Sequence, residues 1–230
     1  MRQLNCYGDE RSKGFCIHCG GAAETNDHIP SKVLLDEPYP DNLMVCSSCL
    51  KCNNALSIDE EYFACLLECV IAGDVDPTKV RRPRIARRLT NNPSLMRRLQ
   101  NARADRDGRP FWNVENERVR AVVSKLGRCH AAFEYNEPRL GQPTYVDFRP
   151  LETMNEIDRR AFEGSDDRTA AWPEVGSRAM QRLLLVSADV FSEGWLVVQE
   201  GNYRFKVGQD DGLDVKIVLR EYLGCHIAWE

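Results

Sequence analysis

The chain has 230 residues, of which 43% are apolar and 29% charged, and its formal net charge is −4. These values are typical of a globular protein, and no apolar run approaches the roughly 18 residues that a membrane-spanning helix needs. The first residues lack the apolar centre of a secretory signal, so we expect a cytoplasmic protein with no membrane partner. In that reducing compartment, ten cysteines favour metal binding over disulfides.

The charge is unevenly distributed along the chain. Residues 1–78 carry 5 Lys or Arg against 13 Asp or Glu, residues 79–128 carry 15 against 4, and residues 129–230 carry 11 against 18. A strongly basic block inside an acidic protein is typical of a surface that binds a polyanion. Two other interpretations stay open: the block is a solvated helical face, or it pairs with the acidic segments around it.

The first predicted element is a metal-binding segment, because residues 15–57 are rich in Cys, Gly, Asn, Asp and Pro and poor in periodicity. Cys16 and Cys19 form one Cys-x-x-Cys pair, whose spacing lets both thiolates reach the same ion. The second pair comes from two overlapping choices among three residues, Cys46, Cys49 and Cys52. Two such pairs predict a structural zinc (Zn²⁺) site with four thiolate ligands.

One histidine and four further cysteines are not expected to bind the zinc. His18 lies inside the first pair, and we expect it to be exposed because two thiolate pairs complete the zinc shell. Four further cysteines are expected in the core: Cys65, Cys69, Cys129 and Cys225.

The Asp27-His28 step, between the two cysteine pairs, suits the hydrolysis of a phosphodiester bond. The imidazole of His28 titrates near neutral pH and can act as a general base. In an extended segment Asp27 faces the other side of the chain, where its carboxylate can hold a metal ion. The carboxamide of Asn53 or Asn54 supplies a neutral oxygen ligand, which suits Mg²⁺ or a similar divalent cation.

Hydrophobic periodicity predicts the helices that follow. The first opens at a capping box formed by Ser57 and Glu60, and Gly73 ends it. Further helices are predicted near 83–90, 93–104, 116–134, 152–163 and 174–186. Asn92-Pro93 is expected to open the third of these six helices, and residues 107–110 are expected to form a turn.

The tail of the chain predicts a small antiparallel sheet, because β-rich runs alternate with turns from residue 194 onward. We therefore expect three segments. Residues 1–73 hold the metal-binding module and its following helix, residues 74–135 form a basic helical region, and residues 136–230 form an α+β region with the sheet.

The metal-binding segment carries a resemblance to a known family. Over residues 14–58, the pattern Cys-x-x-Cys, Asp-His-Ile-Pro, Asn-Leu and Cys-x-x-Cys-Asn resembles the HNH endonucleases, whose core is a ββα-metal fold. This resemblance implies that Asp27 binds the catalytic metal, that His28 is the general base, and that Asn42 orients the base. More loosely, much of the chain resembles bacterial HNH endonuclease proteins whose substrate is not known. The implied fold class is α+β: a zinc-stapled ββα-metal module, a helical region and a C-terminal antiparallel sheet.

The resemblance also bears on the choice among the later cysteines. The family usually places its closing asparagine directly behind the last zinc cysteine, which implies Asn53 as a ligand of the catalytic ion and assigns zinc to Cys49 and Cys52. The spacing from Asn42 is longer than usual in the family, so Cys46 and Asn54 stay as alternatives.

The basic block supplies residues that a small nuclease core needs for binding phosphates. Five arginines include neighbours three and four positions apart, which would form a ridge on one helix: Arg81, Arg82, Arg84, Arg87 and Arg88. Contacts of this kind give affinity without sequence specificity and a steep dependence on salt.

Together these features predict a metal-dependent endonuclease that cuts nucleic acid, with DNA as the expected substrate. One alternative is a zinc-stabilised module that binds nucleic acid or protein and has no catalytic activity. Another is a toxin or defence nuclease that a partner licenses. The sequence leaves a protein partner or a homo-oligomer open.

Overall fold

The computed structural model of the protein describes residues 3–4, 14–41, 43–135, 138–164, 191–192, 194–209 and 212–230. These residues form helices and mainly antiparallel sheets in separate parts of the chain, which confirms the predicted α+β class. Within these ranges, no helix has both the length and the apolar character that crossing a membrane requires.

The amino-terminal part forms a small sheet that leads into a long helix. Strands β1 (Gln3–Leu4), β2 (Thr25–Ile29) and β3 (Leu43–Ser48) lie in the order β1-β3-β2, with β1 parallel and β2 antiparallel to β3. Only Cys49 separates β3 from helix α1 (Leu50–Ala72). Strands β2 and β3 and helix α1 therefore follow one another in the β-β-α order that the resemblance implies, and β1 is an additional strand of the sheet.

Helix α1 begins earlier than predicted. Ser57 lies inside the helix, where its hydroxyl donates to the carbonyl of Asn54, so it does not act as an amino-terminal cap. The predicted end is confirmed, since Gly73 follows the helix with a φ of +67°.

The central part is helical, with one short hairpin. Its elements are α2 (Pro83–Asn91), α3 (Pro93–Ala102), β4 (Arg103–Arg106), β5 (Arg109–Trp112) and α4 (Asn116–Tyr135). The side chain of Asn92 accepts a hydrogen bond from the Leu95 amide at 3.0 Å, which confirms the predicted cap of α3. Asp107 and Gly108 have φ values of +52° and +74° and form the turn between β4 and β5.

The carboxyl-terminal part is an antiparallel sheet of six described strands, in the order β6-β11-β10-β9-β8-β7. The strands are β6 (Tyr145–Pro150), β7 (Phe191–Ser192), β8 (Trp195–Gln199), β9 (Tyr203–Gln209), β10 (Leu213–Leu219) and β11 (Leu223–Trp229), and helix α5 (Glu156–Glu163) follows β6. The predicted tail sheet is confirmed, and β6 adds a strand to it that lies well before residue 194, where the predicted β-rich runs begin. The helix predicted near 174–186 lies outside the described residues.

The chain divides into two compact units that differ from the three predicted segments. One unit comprises Met1–Asn53 and Val123–Glu230, and the other comprises Asn54–Val122. The boundaries fall inside α1 and α4, whereas the predicted boundaries at 73 and 135 fall at the ends of those helices. Periodicity marks where a helix stops but carries no information on where its packing partners change.

Within the first unit, the second half of α4 packs on the carboxyl-terminal sheet. His130 Nε2 lies 2.8 Å from the Tyr203 hydroxyl, and the His130 ring stacks on Phe205 with centroids 3.7 Å apart. Gly127 allows a close approach, because a Cβ there would lie 3.1 Å from the Trp229 ring. This packing holds α4 in place. Lys125 and Cys129 of that helix contact residues of the amino-terminal sheet.

Candidate metal centre

The first cysteine pair lies on a tight turn. The amide of Cys16 donates to the Gly21 carbonyl at 2.6 Å, and the amide of Gly20 donates to the Cys16 carbonyl at 2.8 Å. Gly20 has a φ of +77°, a conformation that glycine adopts without steric cost. The turn reverses the chain directly after Cys19, which brings both thiols of the pair to one place.

The second pair lies at the start of α1. Cys49 directly precedes the helix and Cys52 lies in its first turn, where the Cys52 amide donates to the Cys49 sulfur at 3.3 Å. The amino-terminal end of a helix carries a partial positive charge and unpaired amides, and both favour the thiolate form of a nearby cysteine.

The four cysteines converge, and their sulfur atoms lie within 4.8 Å of one another. The sulfurs of Cys19 and Cys49 are 3.8 Å apart. A tetrahedral ion with metal–sulfur distances near 2.3 Å places its ligands roughly 3.8 Å apart, so this spacing fits a four-thiolate metal site. The choice of Cys49 and Cys52 for the second pair is therefore confirmed as a cluster, and Cys46 lies elsewhere.

Electrostatics in the cluster favour a bound cation. Burial opposes ionisation of Cys16, but the amides of Cys49, His18 and Cys19 outweigh it and lower the pKa of the Cys16 thiol to about 6. Burial and the neighbouring sulfurs, above all that of Cys49, raise the pKa of Cys52 well above its ordinary value. Four adjacent thiolates repel one another, and a divalent cation among them removes that repulsion.

His28 lies on β2 opposite Val45 and is half-buried. Burial, followed by the charges of Lys32 and Lys125, lowers the pKa of His28, although Asp27 works in the opposite direction. The imidazole is therefore neutral at neutral pH, which is the form that can accept a proton.

Asp27 faces the interior, on the opposite side of β2 from His28. It is 5% exposed, and its two carboxylate oxygens lie 3.0 and 2.8 Å from Nζ of Lys125, which is itself 1% exposed. Burial would raise the pKa of Asp27, but His18 and Lys125 overcome it and lower the pKa below the ordinary value. A hydrated divalent ion binds exposed oxygens, so this placement argues against the predicted role of Asp27 as a ligand of a catalytic ion.

Of the three asparagines named in the predictions, the structure describes two, Asn53 and Asn54. Asn53 lies in the first turn of α1, where its backbone N–H donates to the Cys49 carbonyl at 3.0 Å. Its side chain is half-buried. Asn54, the alternative, is exposed. Asn42 lies outside the described residues.

The prediction that His18 is exposed is wrong, because its side chain is only 4% exposed. Its ring approaches two sulfurs, and the ligand atoms of His18, Cys46 and Cys129 lie within 4.8 Å of one another. Sequence reasoning missed this cluster. The only local signal was that Cys46 had no assigned role, since Cys129 is 83 residues away from it on α4.

The three side chains of this cluster shift one another's pKa values. Burial disfavours the charged imidazole, but the neighbouring Asp27 carboxylate and Cys129 sulfur raise the pKa of His18 to about 10. Burial likewise opposes ionisation of Cys129, whereas Cys46 and His18 lower the pKa of that thiol to about 6. Cys129, followed by burial, raises the pKa of Cys46 far above its usual range.

The predicted arginine ridge is only partly on the surface. Arg82 is 6% exposed and lies 3.8 Å from the Glu68 carboxylate, and Arg88 lies 2.5 Å from that of Glu61. Arg82 therefore cannot contact phosphates as predicted, because burial and an internal ion pair hold it. Arg81 and Arg87 are exposed, and Arg84 is partly exposed.

Comparison of the chain with protein-family models, with curated proteins and with solved structures finds no match.

Proposed function

We propose that this protein is a metal-dependent endonuclease of the HNH type. One observation carries the proposal: the half-buried His28 lies on a strand whose antiparallel partner leads through Cys49 directly into α1, and burial there lowers the pKa of its imidazole. Of the four clustered cysteines, Cys16 and Cys19 precede β2, and Cys49 and Cys52 lie at the junction of β3 and α1. A small fold that lacks a large apolar core of its own needs such a metal clip to hold its shape.

The ion held by Cys16, Cys19, Cys49 and Cys52 is proposed to be a structural zinc. Four thiolates fill a tetrahedral shell and leave no position for water, so this ion would stabilise the fold and take no part in hydrolysis. The ten cysteines suit the reducing cytoplasm, where we propose that the protein acts.

In the proposed reaction, His28 accepts a proton from the water that attacks the phosphodiester phosphorus. A phosphorus–oxygen bond forms to that water, the bond to the departing nucleotide oxygen breaks, and solvent protonates the departing oxygen. A divalent cation such as Mg²⁺ would neutralise charge on the scissile phosphate when bound, with the Asn53 carboxamide as its protein ligand. Asp27 is a positioning residue here, since its ion pair with Lys125 fixes the strand that presents His28.

The test is cleavage of supercoiled plasmid, single-stranded DNA and RNA with Mg²⁺, Mn²⁺ or Ni²⁺, and with EDTA as the metal-free control. We expect wild type to cut DNA only with a divalent cation. His28→Ala should cut at least about 10²-fold more slowly while it still binds DNA, because it loses only the general base. His226→Ala is the matched control, since His226 lies on β11 and pairs with Asp214. Equal cleavage by wild type and His28→Ala would contradict the assignment of the base.

The placement of Asp27 favours one other function. If the catalytic ion needs the carboxylate that Lys125 occupies, the protein would be a zinc-stabilised module that binds nucleic acid without cutting it. In that case wild type and His28→Ala bind DNA equally, and neither cuts it with any of the three cations.

A further inference from the structure

Three side chains from distant parts of the chain meet beside the four-cysteine cluster. His18 comes from the turn that carries the first cysteine pair, Cys46 from β3, and Cys129 from α4, and all three belong to the same compact unit. The sulfurs of Cys46 and Cys129 are 3.5 Å apart. Cys46 is 5% exposed and Cys129 is fully buried, so the two sulfurs meet in the interior and not at the surface.

The orientation of His18 points to a ligand. Its Nε2 lies 3.4 Å from a carboxylate oxygen of Asp27. Its Nδ1 is buried and makes no hydrogen bond within the described part of the chain. Metal-binding histidines characteristically donate one ring N–H to a carboxylate and present the other nitrogen to the metal. A buried ring nitrogen without a partner costs free energy, and a bound ion would remove that cost.

We propose that His18, Cys46 and Cys129 form a second metal site, distinct from the four-cysteine cluster, for a thiophilic ion such as zinc. Two thiolates and one imidazole are the ligands that this class of ion prefers. With metal–sulfur bonds near 2.3 Å, the observed 3.5 Å between the sulfurs corresponds to a sulfur–metal–sulfur angle of roughly 100°, close to tetrahedral.

The charges of the interior fit a divalent ion at this site. The two thiolates balance the two positive charges of the metal, and Asp27 is already balanced by Lys125. Burial of the loaded site therefore leaves no net charge in the interior, which is the condition under which buried ions are tolerated. Asp27 gains a role that does not require exposure, because it orients His18 toward the metal.

This inference does not depend on nuclease activity, and metal content tests it directly. Full-length protein is expressed with added zinc, purified without chelator, and measured for zinc and copper per chain. We expect two zinc ions per chain in wild type and one in Cys129→Ala. His28→Ala and Cys225→Ala should both keep two, the first because it affects only the proposed catalytic residue and the second because Cys225 is a buried cysteine of β11 outside the cluster.

X-ray absorption of wild type keeps the proposal testable if Cys129→Ala does not fold. One four-thiolate site and one site with two thiolates and an imidazole together give an average of about three sulfur ligands per zinc. A single zinc per chain with four sulfur ligands would overturn the proposal. So would a disulfide between Cys46 and Cys129 in the metal-loaded protein, or a second zinc that is retained in Cys129→Ala and lost in His28→Ala.

Discussion

At the scale of single residues, the Asp27-His28 pair shows how a strand gives two neighbours different environments. Successive side chains of β2 face opposite sides, so His28 is half-buried while Asp27 is enclosed with Lys125. The resemblance assigned Asp27 to the catalytic ion and gave His28 the role of the general base. Lys125 has no local signal in the sequence, because its contact with Asp27 spans 98 positions. The structure therefore changes the interpretation of Asp27 more than that of any other predicted residue.

Lys125→Met tests the contribution of this buried pair. We expect the variant to lose about 3–5 kcal/mol of the free energy of unfolding, because Asp27 would keep its charge without its main partner. Asp27→Asn/Lys125→Met should be less destabilised than the single variant, since it buries no unpaired charge. Urea unfolding measures both. Lys79→Met is the control and should change stability little, because the Lys79 side chain is 58% exposed in its pair with Asp74. Equal losses for the single and double variants would mean that packing, and not charge, accounts for the effect.

At the scale of elements, the sequence predicts helix caps, helix ends and turns, because residues close together in the chain determine them. The cap at Asn92, the end of α1 at Gly73 and the turn at residues 107–110 are all set by neighbours in sequence, and all were predicted correctly. The start of α1 was not predicted, because its first turns expose Leu50 and Ile58 and lack the amphipathic pattern of its later turns. Spacing predicts the first cysteine pair and the resemblance implies the second, whereas the cluster at His18 depends on long-range packing of α4.

Gly212→Ala tests the junction at the start of β10. A Cβ at Gly212 would lie 2.3 Å from the Trp229 carbonyl oxygen, and the residue has a φ of +157°, so the backbone of β10 or β11 would have to shift. We expect destabilisation of roughly 1–3 kcal/mol, measured as a lower midpoint of thermal or urea unfolding. Gly141→Ala is the matched control, because a Cβ there meets nothing within 4 Å. If both variants unfold at the wild-type midpoint, the strands at this junction are not tightly coupled.

At the scale of the whole molecule, the basic block divides into arginines that are paired within the fold and arginines that are exposed. The basic residues 79–128 carry 15 Lys or Arg, and the structure pairs part of them with acidic residues of α1. Arg82 and Arg88 take part in such pairs, while Arg81 and Arg87 are exposed. Internal pairing is therefore supported for Arg82 and Arg88, whereas the exposure of Arg81 and Arg87 fits both a solvated helical face and a polyanion-binding surface.

This division predicts different outcomes for arginines that are close neighbours in sequence. Arg81→Ala and Arg87→Ala should weaken DNA binding to a similar degree for all sequences, and each should lower the salt slope of log K by about 1. Arg82→Ala should chiefly lower the stability of the fold, because it removes a positive charge that lies 3.8 Å from the buried Glu68 carboxylate. Fluorescence anisotropy over a series of salt concentrations gives the slopes, and urea unfolding gives the stabilities. Arg160→Ala is the control and should leave binding unchanged, since Arg160 is an exposed arginine of α5 that pairs with Glu156. A salt slope unchanged in both Arg81→Ala and Arg87→Ala would place the polyanion-binding surface elsewhere on the molecule.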